Sequence, residues 1–425
     1  MLLGTALLLL PAARSGPGSA SPLEALFTAT SAVCVTGLAV VDTAGYWSGF
    51  GQAVILVLIQ VGGFGIMTLA SLLGLLVSRR IGVRSRVTAA AETRTPGLGD
   101  VRAVLVGVAA LSLVVESVTA ALLTARFALG YGEPLPRALW LGVFHAVSAF
   151  NNAGFALYSD SLVGFVTDPW ICLPVAAAVI VGALGFPVLL ELRRELRRPR
   201  AWSLHTQVTV VGTAVLVVSG TAFMLVTEWS NPGTLGPLGV PGKLLAGFFQ
   251  GVMPRTAGFN SVDVAAMNTG TWLGTDVLMF IGGGSAGTAG GIKITTFAVL
   301  LFAIVSEVRG DDDTTALGRR RLPVGAQRQA LSVALLGVAA VALPAVVFAL
   351  TTPFTLDQIL YEVVSAFATV GLSTGITAQL SAPHQLALVV LMFVGRTGTI
   401  TLASALALRS RKRLYRLPEE RTVIG

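Results

Sequence analysis

The chain has 425 residues, 54% of them hydrophobic and 12% charged, with a mean hydropathy of +0.80. A soluble globular chain carries about 25% charged residues, so this composition excludes one and points to an integral membrane protein. The net charge of +8 does not indicate nucleic acid, because most of the 29 lysines and arginines fall in four clusters that each follow an apolar run.

Those clusters are Arg79–Arg102, Arg193–Arg200, Arg309–Arg328 and Arg409–Arg421. The alternate loops are nearly free of basic residues, which is the positive-inside pattern and places all four clusters in the cytoplasm. A basic surface for acidic lipid or an acidic partner is a second use of the same charges. Cys34 and Cys172 give no disulfide framework, and the scattered His145, His205 and His384 give no metal-ligand spacing. No Ser/His/Asp set or pair of carboxylates in register suggests an enzyme.

In chain order, Met1–Leu10 is apolar but reaches only about 15 Å as a helix, half a bilayer. No basic residue precedes it, so it reads as the remnant of a first outer helix in preference to a signal segment. Six longer runs follow: Gln52–Val77, Val101–Phe127, Ile171–Leu192, Val208–Val226, Leu331–Leu350 and Leu386–Leu408. Each exceeds the roughly 18 residues that a transmembrane helix needs.

Four related stretches lie between these runs: LFTATSAVCVTGL, VFHAVSAFNNAGF, FFQGVMPRTAGF and LYEVVSAFATVGL. They align on Gly37, Gly154, Gly258 and Gly371. An aromatic residue stands ten positions before each glycine (Phe27, Phe144, Phe248, Tyr361), and a bulky apolar residue follows it. Three copies carry Ser-Ala six and five positions before it. Each stretch reads as a helix too short to span, with Pro22, Pro136 and Pro241 in the first turn and Asp357 in that place in the fourth copy. The expected fold is therefore an all-α membrane protein of four pseudo-fourfold repeats. Each repeat is an outer helix, a pore helix with a filter loop, and an inner helix, arranged around one central pore. Eight spans and four re-entrant loops result. The units are 1–78 with an incomplete outer helix, 101–193, 205–308 with a broken inner helix, and 327–410, before a cytoplasmic tail at 411–425. Both termini fall on the cytoplasmic side once the first outer helix is complete.

Non-helical backbone at membrane depth must be enclosed by protein or line water. Four such loops around an axis would present rings of carbonyl oxygens that replace the hydration shell of potassium. The pore helices would point their partly negative C-terminal ends at the ion. The candidate filter residues are Val35, Thr36 and Gly37; Asn152, Ala153 and Gly154; Thr256, Ala257 and Gly258; and Thr369, Val370 and Gly371. Acidic side chains do not form a ring here, since Asp42 and Asp263 correspond to Ser159 and Ile376.

The third inner helix, from about Trp272 to Val305, contains GGGSAGTAGGIKITT with six glycines. Each costs a helix about 1 kcal/mol relative to alanine, so the helix should break there and form a gate below the filter. The candidate gate is Gly282, Gly283, Gly284, Ser285, Ala286, Gly287, Thr288, Ala289, Gly290 and Gly291, with Lys293 and Arg396. A nucleotide-binding P-loop is excluded because Lys293 follows Ile292 and not glycine. Arg396, deep in the fourth inner helix, should face a cavity or bond the loop carbonyls. Lys293 is expected to snorkel toward the interface. For Glu116, a structural carboxylate and a functional one both remain open.

The stretches ALFTATSAVCVTGL, QVGGFGIMT, SAFNNAGF, TAGFNSVD, GGGSAGTAGGIKITTFAV, SAFATVGLSTG, GRTGTITLA and PEERTVIG resemble the Trk/Ktr/HKT superfamily of potassium transporters, most closely the bacterial Ktr-type membrane (pore) subunit. The resemblance covers nearly the whole chain. It implies potassium uptake through one filter glycine per repeat, an intramembrane gate loop, and location in the cytoplasmic membrane. It also implies a homodimer and a cytosolic nucleotide-binding regulatory ring on the basic face, with no cofactor in this chain itself. Sodium dependence is left open. The alternative function is a sodium-permeable or sodium-coupled carrier working by alternating access, whose folds often show inverted repeats and paired broken helices.

Overall fold

The computed structural model describes residues 1–80, 101–311, 315, 316 and 320–398. Most of the cluster Arg79–Arg102, part of Arg309–Arg328, all of Arg409–Arg421, the end of the run Leu386–Leu408 and the tail from 411 lie outside the described residues.

The first unit begins with a short helix, α1 (Leu2–Leu8), followed by the pore helix α2 (Pro22–Val33) and the inner helix α3 (Gly49–Arg80). Pro22 occupies the first turn of α2, where its missing N–H costs nothing. Ser21 and Glu24 close a capping box there, with Ser21 N donating to Glu24 Oε2 at 2.8 Å and Glu24 N to Ser21 Oγ at 3.2 Å. The second unit has the outer helix α4 (Val101–Tyr131), the pore helix α5 (Leu135–Phe150), and an inner helix in two pieces, α6 (Pro169–Leu184) and α7 (Phe186–Glu195). The third unit has α8 (Leu204–Glu228), α9 (Val240–Val252), α10 (Thr269–Phe280) and α11 (Ile294–Arg309). A two-residue hairpin, β1 (Thr315–Ala316) with β2 (Arg320–Arg321), precedes the fourth unit. That unit has α12 (Val324–Thr351), the pore helix α13 (Leu356–Ala368) and α14 (Ala382–Phe393). A π-helical segment, Val394–Gly398, continues α14.

Packing closes the four units into a ring. The inner helix of each unit lies on the pore helix of the next: α3 on α5, α6 on α9, α10 on α13, and α14 back on α2. The buried clusters follow the same plan. One joins Phe27 and Leu38 of the first unit to Tyr361 and Leu372 of the fourth, and another joins Phe150 and Val179 of the second to Phe249 and Phe259 of the third. The outer helices keep apolar side chains exposed, among them Val118, Val218 and Leu343, as a lipid-facing surface requires.

Among the described residues, four helices are each long and apolar enough to cross a membrane unbroken (Gly49–Ser71, Val104–Tyr131, Leu204–Glu228 and Val324–Thr351), and the pair α6 and α7 makes a fifth span if counted as one bent helix. One expectation about continuity needs correction: the third inner helix is not alone in being broken. The second bends by 100° at Gly185, between Leu184 and Phe186. Gly185 has φ +90°, and a Cβ there would lie 2.5 Å from the Ser285 carbonyl oxygen. Pro187 two positions on removes a helical N–H and reinforces the break. Gly185→Ala combines left-handed strain with a backbone clash. It is expected to lower the thermal midpoint of the purified protein by several degrees, equivalent to about 2 kcal/mol or more, as read by a thermal-shift assay.

Candidate functional site

The four aligned glycines meet. A Cβ built on Gly37 would collide with the Ala153 carbonyl and lie 3.2 Å from Gly154 Cα. One on Gly154 would lie 2.7 Å from Gly258 Cα, one on Gly258 3.2 Å from Gly371 Cα, and one on Gly371 3.0 Å from Gly37 Cα. The contacts run through all four units and return to the first. Four glycines spaced 104 to 117 positions from one copy to the next thus form one closed ring.

The backbone repeats around this ring. Each glycine has positive φ: 93° at Gly37, 70° at Gly154, 72° at Gly258 and 96° at Gly371. So does the residue two positions before it, with 55° at Val35, 58° at Asn152, 66° at Thr256 and 52° at Thr369. Left-handed values at non-glycine residues are uncommon, most of all at β-branched ones, and they recur here in register. The other two residues of every triplet are completely buried. Positive φ at the first and third residue of every triplet gives the four loops one shared, non-helical and non-sheet backbone path.

The recurrent serine explains itself in the structure. Gly37 N donates to Ser31 Oγ at 3.1 Å, and Gly371 N donates to Ser365 Oγ at 3.1 Å. In the second unit Ser148 Oγ donates to the Phe155 carbonyl at 2.8 Å. Each serine ties its loop to its own pore helix. The loops also brace each other, since Ser159 Oγ donates to Asp42 Oδ2 at 2.7 Å. At the start of α2, burial pushes the Glu24 carboxyl up. Hydrogen bonds from Tyr46 and Ser21 and the charge of Arg14 outweigh it and hold the group below the ordinary carboxylate range. Glu24 therefore keeps its negative charge near the helix N-terminus at neutral pH.

Residues 281–293 replace helix between α10 and α11, and they run under the ring. Gly282 N donates to the Ile292 carbonyl at 2.9 Å and Ile292 N to the Phe280 carbonyl at 3.1 Å, so the ends of the loop are held together. Its body rests on the bend of the second unit: Gly284 N bonds the Ala183 carbonyl at 2.8 Å and Thr288 N the Gly182 carbonyl at 3.1 Å. Upward contacts reach three units. Thr288 Oγ1 donates to the Phe150 carbonyl at 3.2 Å and lies 2.8 Å from the Asn152 amide. Gly290 N donates to Thr256 Oγ1 at 3.0 Å, and a Cβ on Gly290 would strike Ala368 and Thr369. Ser285 and Thr295 hydroxyls meet at 2.9 Å.

Arg396, 3% exposed within the π segment, donates through Nη1 to the Thr288 carbonyl. Lys293 does not snorkel outward. Its Nζ donates to the Ala289 carbonyl of the loop it ends. Glu116 joins three helices: Asn151 Nδ2 donates to its Oε1 at 3.1 Å and Gln60 Nε2 to its Oε2 at 3.4 Å. Two buried charges escaped the repeat alignment although both lie in or beside the aligned stretches. Arg255 adjoins Thr256. Glu362, completely buried on α13, accepts hydrogen bonds from Thr374 N at 3.0 Å and Thr377 Oγ1 at 2.8 Å and pins the segment after Gly371. A charge inside an otherwise apolar stretch is the signal that marks both.

Fold and site together define a predominantly helical membrane transporter built from four concatenated units. Residues 4–413 match the TrkH family, described as cation transport protein, and the chain belongs to that family. It is 39% identical to the Ktr system potassium uptake protein B of Bacillus subtilis, across 100% of this chain and 94% of that one. It is 34% identical to the potassium/sodium uptake protein NtpJ of Enterococcus hirae, again across 100% and 94%. Among solved structures, the potassium transporter TrkH from Vibrio parahaemolyticus superposes with a TM-score of 0.66 at 18% identity, covering 92% of this chain and 79% of that chain.

Proposed function

We propose that this chain takes up potassium across the cytoplasmic membrane through the glycine ring, with residues 282–291, Lys293 and Arg396 as its gate. The closed ring of Gly37, Gly154, Gly258 and Gly371 carries the reading. Its backbone supplies oxygen dipoles without side-chain charge, which suits a dehydrated monovalent cation. The twelve triplet residues are the selectivity filter, and the units are 1–78, 101–193, 205–308 and 327–410. The loop suits a gate because it touches the filter region from the side where the inner helices are interrupted. The ion is potassium because the B. subtilis relative is named for potassium uptake.

Sodium enters as a second reading through the E. hirae relative, named for potassium and sodium. Two interrupted inner helices would also suit a carrier with alternating access. Here both interruptions pack into one structure, Gly185 against the loop at Ser285, which favours a single gate. A homodimer and a cytosolic nucleotide-binding ring are the proposed partners, since the relatives are named as parts of a Ktr system.

Expression of the full chain in cells lacking potassium uptake is expected to restore growth at low potassium. Absence of growth and of Rb⁺ uptake, with the protein verified in the membrane, removes this function.

A further inference from the structure

The third unit carries a charge that the fourfold plan does not need. Arg255 lies three residues before Gly258, where the other units have Cys34, Asn151 and Ala368. It is 2% exposed. Its guanidinium turns toward the outer helix α8, with Nη1 donating to the Thr213 carbonyl at 3.1 Å and Nη2 to Thr213 Oγ1 at 3.4 Å. Among the described residues the ion pairs are Arg126 with Asp168 and Arg137 with Glu133, so no described carboxylate lies within 4.0 Å of Arg255. Burying an uncompensated charge is costly, and three neutral side chains occupy the same place elsewhere in the ring.

The position gives this charge an effect. Arg255 follows the last turn of α9, its N–H bonding the Val252 carbonyl at 3.1 Å. The C-terminal end of a helix carries roughly half a negative charge, which in this arrangement faces the ring. A guanidinium there offsets that field in one unit of four. The second unit is built differently. Its residue at the same place, Asn151, meets the carboxyl group of Glu116 at 3.1 Å, and Glu116 stands as far from the end of α4 as Thr213 does from the end of α8.

We propose that Arg255 is a fixed positive charge that cancels the dipole of α9 and weakens cation binding in the glycine ring, so that a bound ion is released readily. This rests on the filter reading given above. An ion pathway requires sites that hold an ion well enough to select it and loosely enough to let it go. Arg255 acts through its field and the placement of the loop, without touching the ion.

The test is titration of the purified full chain with RbCl by isothermal calorimetry, which reads binding without transport. Arg255→Gln is expected to tighten the Kd for Rb⁺ at least about threefold. In uptake assays it should lower KM while lowering or preserving the maximal rate. Arg255→Lys keeps the charge and is expected to stay within about twofold of wild type. A glutamine variant that is monodisperse but binds as wild type or more weakly overturns the proposal, because a merely structural arginine would give that result. Should the glutamine variant not yield monodisperse protein, Arg255→Met, which also removes the charge, takes its place: a Kd tightened at least about threefold supports the proposal, and an unchanged or weaker Kd overturns it. A wild-type chain that binds no Rb⁺ removes the filter reading, whereas equal Kd values in a binding wild type and both variants remove only the role of Arg255.

Discussion

Replacing Gly37 by serine is expected to reduce the preference for potassium over sodium at least about tenfold, as measured by competition of Na⁺ against Rb⁺ uptake. The reason is geometric. Gly37 has φ +93°, which an L side chain adopts at a cost of about 1–2 kcal/mol. Its Cβ would also press on the Ala153 carbonyl and come within 3.2 Å of Gly154 Cα in the next unit. Both neighbours are backbone and cannot rotate away, so the first and second loops must separate. Widening one seam of a closed ring changes the distances from the ion to all four sets of oxygens. A variant that assembles normally and keeps the wild-type preference would falsify the assignment of Gly37 to the filter. Because the ring is quasi-equivalent, Gly258→Ser should act in the same direction.

Removal of Gly284–Gly290 is expected to raise basal Rb⁺ flux at least about tenfold, the change produced by losing roughly 1.4 kcal/mol of bias toward a closed state. The excision is feasible because Gly282 and Ile292 already face each other, with Gly282 N 2.9 Å from the Ile292 carbonyl. A short linker can therefore rejoin the chain without moving α10 or α11. The deletion takes away the bonds of Thr288 to Phe150 and Asn152, the contact of Gly290 with Thr256, and the acceptor of Arg396. Flux at or below the wild-type level in well-folded protein would show that the loop supports the filter and does not obstruct the path. Arg396→Ala should resemble the deletion in direction and be smaller, since it removes one anchor of several.

Much of the fold was legible because a bilayer restricts what a chain can do. Spanning segments must be helical and apolar, so α3, α4, α8 and α12 stand out as runs in the sequence. The pore helices were visible for a different reason. They are too short to span, and Phe27, Phe144, Phe248 and Tyr361 recur at a fixed distance from a glycine. The bend at Gly185 was obscured because α6 and α7 read as one apolar run, Ile171–Leu192, which hydropathy alone cannot divide. Gly185 and Pro187 carried the signal, but a single glycine and proline in an apolar helix are tolerated in membranes. Six glycines between Gly282 and Thr296 are not, so the break in the third inner helix was legible.

The sequence by itself determined the membrane class, the four units, their order and the one glycine that each contributes. Local chemistry sufficed for this, because helix length, apolar runs and recurrent turn residues are properties of neighbours in the chain. Only the tertiary structure decided that the four glycines touch in a closed cycle and that the residue two positions before each shares its left-handed backbone. It also decided that the loop at 281–293 rests on Ala183 and Gly182 of a different unit, and that Arg255 is buried without a described acid beside it. These are contacts between segments a hundred residues apart. They depend on how the inner helix of one unit seats on the pore helix of the next, a fit set by shape that no local pattern encodes.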